Sequence, residues 1–331
     1  MLSCRTGISI EHNLYFGYKK AMQVMSVFFL RTLFLLQFFF LLCIQVRAGA
    51  PEAKKEEKPA LTFSLHERIR GEWRENNTDF DDSATALTDD EWLLQRIRLG
   101  VLWEPAPWFR LMVEGQDTRE FFSDRPNQVG QFGAEGDDAF DLRQGFVEVG
   151  DPSSLSLRVG RQVLVYGDKR LISSGEWGNP TRVFDAVKLH LQRDSWWLDA
   201  FASSVVQIEG GRFNRSDWVN DESSRDQIFS GIYFGTSAFD FQVTEAYLLG
   251  LHEDHREGDT AFYTLGTRMK ADPAKLRGWE YDMEMVVQAG EVKGRDHAAF
   301  AGHWGLTYHW LKQPWKPRFG IDYSHASGDS D

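Results

Sequence analysis

The sequence predicts an all-β chain: an antiparallel up-and-down transmembrane β-barrel of about thirteen strands, behind an N-terminal signal peptide. Two observations carry this. From Leu61 onward, runs of roughly ten residues alternate apolar with charged or polar side chains, the length and period of tilted membrane-spanning strands. Short turn-like connections also alternate strictly with long ones rich in Asp, Glu, Gly, Asn and Ser, which a soluble sandwich has no reason to do. No helical period of comparable length follows the leader.

The first element is the leader. Met25 to Arg31 is a short basic region, and Thr32 to Ile44 (TLFLLQFFFLLCI) is an apolar core too short for a comfortable span. Val46-Arg47-Ala48 places small residues for cleavage after Ala48, with an uncleaved inner-membrane anchor as the alternative. Met22 or Met25 reads as the true start. Residues 1–48 are therefore an upstream extension plus signal peptide, 49–60 a charged linker (AKKEEKP at Ala53–Pro59), and 61–331 the barrel domain. Both cysteines, Cys4 and Cys43, precede the cleavage site, so the mature chain would have no disulfide, thiolate metal site or cysteine nucleophile. A formal net charge of −12 argues against a nucleic-acid partner.

The strands then follow in order. Leu61, Phe63, Leu65, Ile69 and Trp73 alternate with His66, Arg68, Arg70, Glu72 and Arg74. Ile97, Leu99, Val101 and Trp103 stand against Arg96, Arg98 and Glu104, and Phe109, Leu111 and Val113 against Arg110, Glu114 and Gln116. Further strands are expected at Phe140–Val149, Leu155–Val165, Arg182–Leu191, Trp196–Val206, Ile228–Phe234, Phe239–Leu249, Phe262–Ala271, Trp279–Ala289, Ala299–Trp310 and Pro317–His325. Facing is ambiguous in Phe140–Val149 and Ile228–Phe234. The long connections are Glu75–Glu91, Asp117–Ala139, Tyr166–Thr181, Gln207–Asp226, Gly250–Ala261 and Gly290–His297. Trp73, Trp103, Trp108, Trp196, Trp197, Trp279, Trp310 and Trp315, near strand ends, fit interfacial girdles.

Several segments together resemble the alginate export family of outer-membrane porins. They are LRQGFVEVGD (Leu142–Asp151), LRVGRQVLVYGDKRLI (Leu157–Ile172), W-x-N-x-x-R-x-FDAVKL (Trp177–Leu189), DAFASSV (Asp199–Val205), LGTRM (Leu265–Met269), YDMEMVVQAG (Tyr281–Gly290) and PWKPRFGIDYSHASGD (Pro314–Asp329). The resemblance implies a larger single-chain barrel that carries an anionic polysaccharide through an Arg- and Lys-lined pore. The family pattern continues past Ser327-Gly328-Asp329, so the domain is expected to be incomplete at its C-terminus.

With the polar parity facing the lumen, the expected pore wall comprises Arg68, Arg70, Arg74, Arg96, Arg98, Arg110, Arg158, Arg182, Lys188, Arg268, Lys270 and Arg318, with fewer acids at Glu72, Glu114, Glu284 and Asp322. Such a wall lowers the cost of admitting a polyanion, and the Arg fork binds carboxylates bidentately. The family-like motifs add Arg161, Tyr166, Gly167, Asp168, Arg170, Trp177, Asn179, Asp185 and Asp199. Arg161 and Asp185 fall on the apolar parity, so either a bulge re-aims them or they lie beyond the hydrocarbon zone. A structural Arg–Asp network holding the Tyr166–Thr181 loop is the alternative to a binding role.

No catalytic residue, cofactor or metal is expected. The acidic pairs Asp81-Asp82, Asp89-Asp90 and Asp137-Asp138 read as solvated loop charge before calcium sites, the histidines lack metal-ligand spacing, and the serines lack a nucleophile elbow. The expected partners are outer-membrane lipid, an anionic polysaccharide (alginate-like) or small anionic solute, and periplasmic export machinery. The alternatives are a porin for other substrates, a barrel enzyme such as a lipase or protease, and a soluble secreted β-sandwich binder.

Overall fold

The computed structural model describes residues 60–75, 90–123, 138–208, 222–224, 226–254 and 258–328. The leader, most of the charged linker, and much of the long connections at Glu75–Glu91, Asp117–Ala139 and Gln207–Asp226 lie outside the described residues.

The strands are β1 (Leu61–Arg74), β2 (Asp90–Ala106), β3 (Phe109–Phe121), β4 (Asp138–Asp151), β5 (Leu155–Gln162), β6 (Phe184–Arg193), β7 (Trp196–Gln207), β8 (Glu222–Ser223), β9 (Gln227–Thr236), β10 (Gln242–Glu253), β11 (Thr260–Ala271), β12 (Trp279–Val292), β13 (Arg295–His309) and β14 (Arg318–Ala326). Thirteen of them form one meander in chain order, each antiparallel to the next, while the two-residue β8 pairs only with the end of β7. Among the described residues β1 and β14 are the two edges of this sheet. The alternating side chains sort onto two faces, and the burial is inverted relative to a soluble protein. On one face Glu148, Ser156, Glu245 and Arg268 are buried, at 2%, 1%, 7% and 7% exposure. On the other, Leu157, Val187, Leu189, Ile232, Leu265 and Val287 are exposed. Large apolar side chains on the outside and charged ones within satisfy the physics of a sheet whose exterior solvent is lipid.

Register resolves the two ambiguous strands. Phe146 turns inward beneath the Arg158 guanidinium at 4.4 Å, while Val147 and Val149 face outward. Ile228 and Ile232 face outward and Phe229 and Tyr233 inward. Trp103, Trp108, Trp279 and Trp315 are exposed near the short connections, as a girdle requires. Trp197 does not join them: it points inward and stacks on Tyr233.

Several boundaries move. β5 stops at Gln162 and β6 begins only at Phe184, so Val163–Val165 and Arg182 belong to the connection between them. β10 begins at Gln242, not Phe239. The expected long connection Gly290–His297 is largely strand: β12 and β13 extend until only Lys293 and Gly294 separate them. Both have positive φ (52° and 73°), the geometry of a type I′ hairpin turn, so the alternation of short and long connections breaks here.

A charge on the outward face should be costly. Val187→Arg, at a mid-strand outward position, should lower stability in lipid vesicles by about 2–4 kcal/mol if it lies near the bilayer midplane. Urea titration of folded protein in vesicles measures this, with inward His303→Arg as the control expected to change little.

Candidate functional site

The connection between β5 and β6, residues 163–183, does not project away from the sheet; its two arms lie on the inward face. The second arm meets an arginine wall. Arg68 of β1 donates to the carbonyls of Glu176 (2.6 Å) and Gly178 (2.8 Å). Arg70 donates to the Trp177 carbonyl and lies 4.5 Å over its ring. Arg96 of β2 reaches the carbonyls of Gly178 (3.2 Å) and Asn179 (3.4 Å). The Glu176 carboxylate receives Arg96 (3.0 Å), Arg98 (3.1 Å) and Arg143 (3.1 Å). Arg98 and Arg143 also share the Thr181 hydroxyl, at 3.0 and 3.1 Å. The fully buried Asn179 donates to the carbonyls of Gln95 and Arg119. A connection with unpaired carbonyls thus supplies acceptors to guanidinium groups that would otherwise repel one another.

The first arm meets the opposite wall. Tyr166 stacks on Tyr233 at 4.6 Å and donates to Asp199 at 2.6 Å. Tyr233 stacks in turn on Tyr247, whose hydroxyl donates to Glu284. Arg170 bridges Asp168 (2.9 Å) and Glu284 (3.0 Å). Gly167 sits at φ 56° against the Tyr233 hydroxyl, where a Cβ would come within 2.9 Å. One connection therefore touches β1, β2 and β4 with one arm and β7, β9 and β12 with the other, bridging the inward face.

The remaining expected residues divide as follows. Arg158 pairs with Glu148 (2.9 Å), and Arg110 with Glu104 (2.6 Å) and Glu148 (3.5 Å). Lys188 pairs with Asp199 (3.1 Å), and Arg268 with Glu245 (3.0 Å) and Asp282 (2.7 Å). Arg74 stays local, on Glu72 and over the Trp92 ring. Glu114 accepts from Arg143. Arg182 is exposed in the connection, and Arg318 and Asp322 lie on the inward parity of the edge strand β14; none of the three makes an ion pair among the described residues. Arg161 is a correction. It pairs with Asp185 (3.0 Å) opposite it in register, on the outward face at the end of the strands next to the long connection, where Ser223 of β8 also donates to Asp185. No register shift separates β5 from β6, so these two residues stand beyond the exposed apolar positions and do not line the inward wall.

Two contributors escape a parity argument. Arg143 is the extra residue of a bulge: Glu114 pairs with Gln144 and the next residue, Gly115, with Leu142. Glu176 lies outside any strand, and its only sequence signal is an acid immediately before the W-x-N motif segment, on a chain whose strands carry many inward arginines.

Glu176 lies in the connection, outside the strands. Burial alone would raise its pKa, but Arg98, Arg96 and Arg143 hold it down to about 2. Its contribution to holding the arm is therefore present above the ordinary value of 4.5 and is lost as pH falls from there toward about 2. In planar-bilayer recordings, current noise should rise across that acid window, and Glu176→Gln should show the noisy state already at neutral pH. A Glu176→Gln channel as quiet as the parent would mean the carboxylate does not anchor the arm.

The chain matches the alginate export family over residues 60–331. No curated protein matches it. Among solved structures it is similar to Acinetobacter baumannii OccAB3, at 10% identity and a TM-score of 0.45, covering 80% of this chain and 82% of that one. It is also similar to Pseudomonas aeruginosa OccD3 (OpdP), at 12% and 0.37, covering 81% and 60%. A third is a loop L8 deletion mutant of Vibrio cholerae OmpT, at 10% and 0.36, covering 82% and 96%. With that family match over an inward-charged, outward-apolar meander, the chain belongs to the alginate export family and is an outer-membrane β-barrel transport protein rather than an enzyme.

Proposed function

We propose that the chain passes an anionic polysaccharide, alginate-like, or a related anionic solute across the outer membrane. The observation that carries this reading is the cationic excess where the bridging connection meets the wall. Arg68, Arg70, Arg96, Arg98 and Arg143 gather there against Glu72, Glu114 and Glu176. Along the inward face, fixed guanidinium groups offset the desolvation of an entering carboxylate. Their planar forks suit carboxylates in particular. The neighbouring acids keep any one residence short, which transport requires as much as binding. Arg182, exposed on the connection and without an ion pair among the described residues, is a further cation open to an anion.

Planar-bilayer recordings test this reading. Anion selectivity and block by polyuronate are expected; cation selectivity without block overturns it. Arg158→Glu and Arg182→Glu should each shift the reversal potential toward cations without preventing insertion. The shift should be larger for Arg158→Glu, which sets a second carboxylate beside Glu148. Unchanged selectivity in both would mean that these residues act only structurally.

A further inference from the structure

On the short-turn side of the bridging connection lies a constellation that anion selectivity does not use. A cavity of about 530 Å³ opens between the Val163–Gly167 arm and the ends of β6 and β7 next to their tight turn. That volume falls within the range of small-molecule sites, about 300–1,000 Å³. Lys188, His190 and Gln192 of β6 line it together with Trp197 and Asp199 of β7. Asp199 is occupied within the wall, accepting from Tyr166, Lys188 and His190 Nδ1. That leaves the other Lys188 N–H donors, His190 Nε2 and the whole Gln192 amide without partners among the described residues. Beside them the Trp197 indole is held in one orientation. It stacks on Tyr233 at 5.5 Å and 4°, and on Tyr166 at 6.2 Å and 21°. A Cβ at Gly235 would come within 2.5 Å of the ring, so only glycine leaves it room.

We propose that this cavity is a subsite for one pyranose ring of the transported polymer, an inference that rests on the polysaccharide reading above. A pyranose presents C–H groups on its faces and hydroxyls, each both donor and acceptor, around its edge. A fixed aromatic ring beside mixed donors and acceptors matches that pattern. The arginine wall matches it less well, because guanidinium groups donate but cannot accept, so they meet only half of what a sugar hydroxyl offers. The cavity is also a poor site for a bare anion, since Asp199 neutralises Lys188 and Glu245 stands at its margin. The two sites divide the polymer between them: the wall takes its charge and the cavity takes its ring.

Isothermal titration of the detergent-solubilised chain with oligomannuronate and with oligoglutamate of equal charge separates these roles, because only the first has sugar rings. Trp197→Ala should weaken oligomannuronate binding roughly 10-fold. Gln192→Ala, at an exposed side chain without partners, should weaken it about threefold and leave the fold intact. Oligoglutamate binding should be unchanged in both. Equal loss for the two polyanions, or no loss for either in the Gln192→Ala protein, overturns the subsite while the polyanion reading stands. A parent chain that binds neither polyanion overturns both.

Discussion

The site depends on one contact: the Glu176 carboxylate held by Arg96, Arg98 and Arg143. Inward arginines from neighbouring strands repel one another, and a barrel interior has few acceptors to spare. The connection between β5 and β6 supplies them, through one carboxylate, one hydroxyl and a run of backbone carbonyls. Each charge-assisted hydrogen bond of this kind is worth roughly 1.5–3 kcal/mol net, so several together outweigh the entropy of fixing the few residues that make them. The arginine wall and the inward connection are therefore mutually required, since each satisfies groups that the other leaves open.

The opposite arm is held by different physics. Tyr166, Tyr233, Tyr247 and Trp197 stack in near-parallel succession, and the tyrosine hydroxyls of positions 166 and 247 are tied to Asp199 and Glu284. Burial and the neighbouring Asp199 push the Tyr166 phenol upward, so it stays a donor across the physiological range. The arginine wall on one side, and stacked rings with the Arg170 ion pairs on the other, give the connection two anchors of different make-up. Loss of ring area acts on the second alone.

Much of this is legible in the sequence. Strand number, order and facing follow from period-2 alternation, and Arg158, Lys188, Arg268 and Glu284 lie inward as their parity requires. Alternation fails where the backbone leaves its regular period. A bulge turns Arg143 inward. Arg161 and Asp185 keep their outward parity and are tolerated there because they neutralise each other past the apolar positions. The Lys293-Gly294 turn is a compositional misreading: Asp, Glu and Gly between Gly290 and His297 suggest a long loop, yet strands extended beyond the apolar positions carry such residues readily. The inward course of the β5–β6 connection is not legible at all, because the arginines that hold Glu176 come mostly from β2, about eighty positions earlier in the chain. Local sequence carries no record of that pairing.

The contact between Arg143 and Glu176 is most directly measured by a double-mutant cycle. Arg143→Gln, Glu176→Gln and the double variant would be compared by urea unfolding in lipid vesicles. If the carboxylate anchors the connection through the arginine wall, the two losses are non-additive, with a coupling of roughly 0.5–3 kcal/mol. Strictly additive losses would contradict it, and would mean that the connection is positioned by its aromatic arm alone.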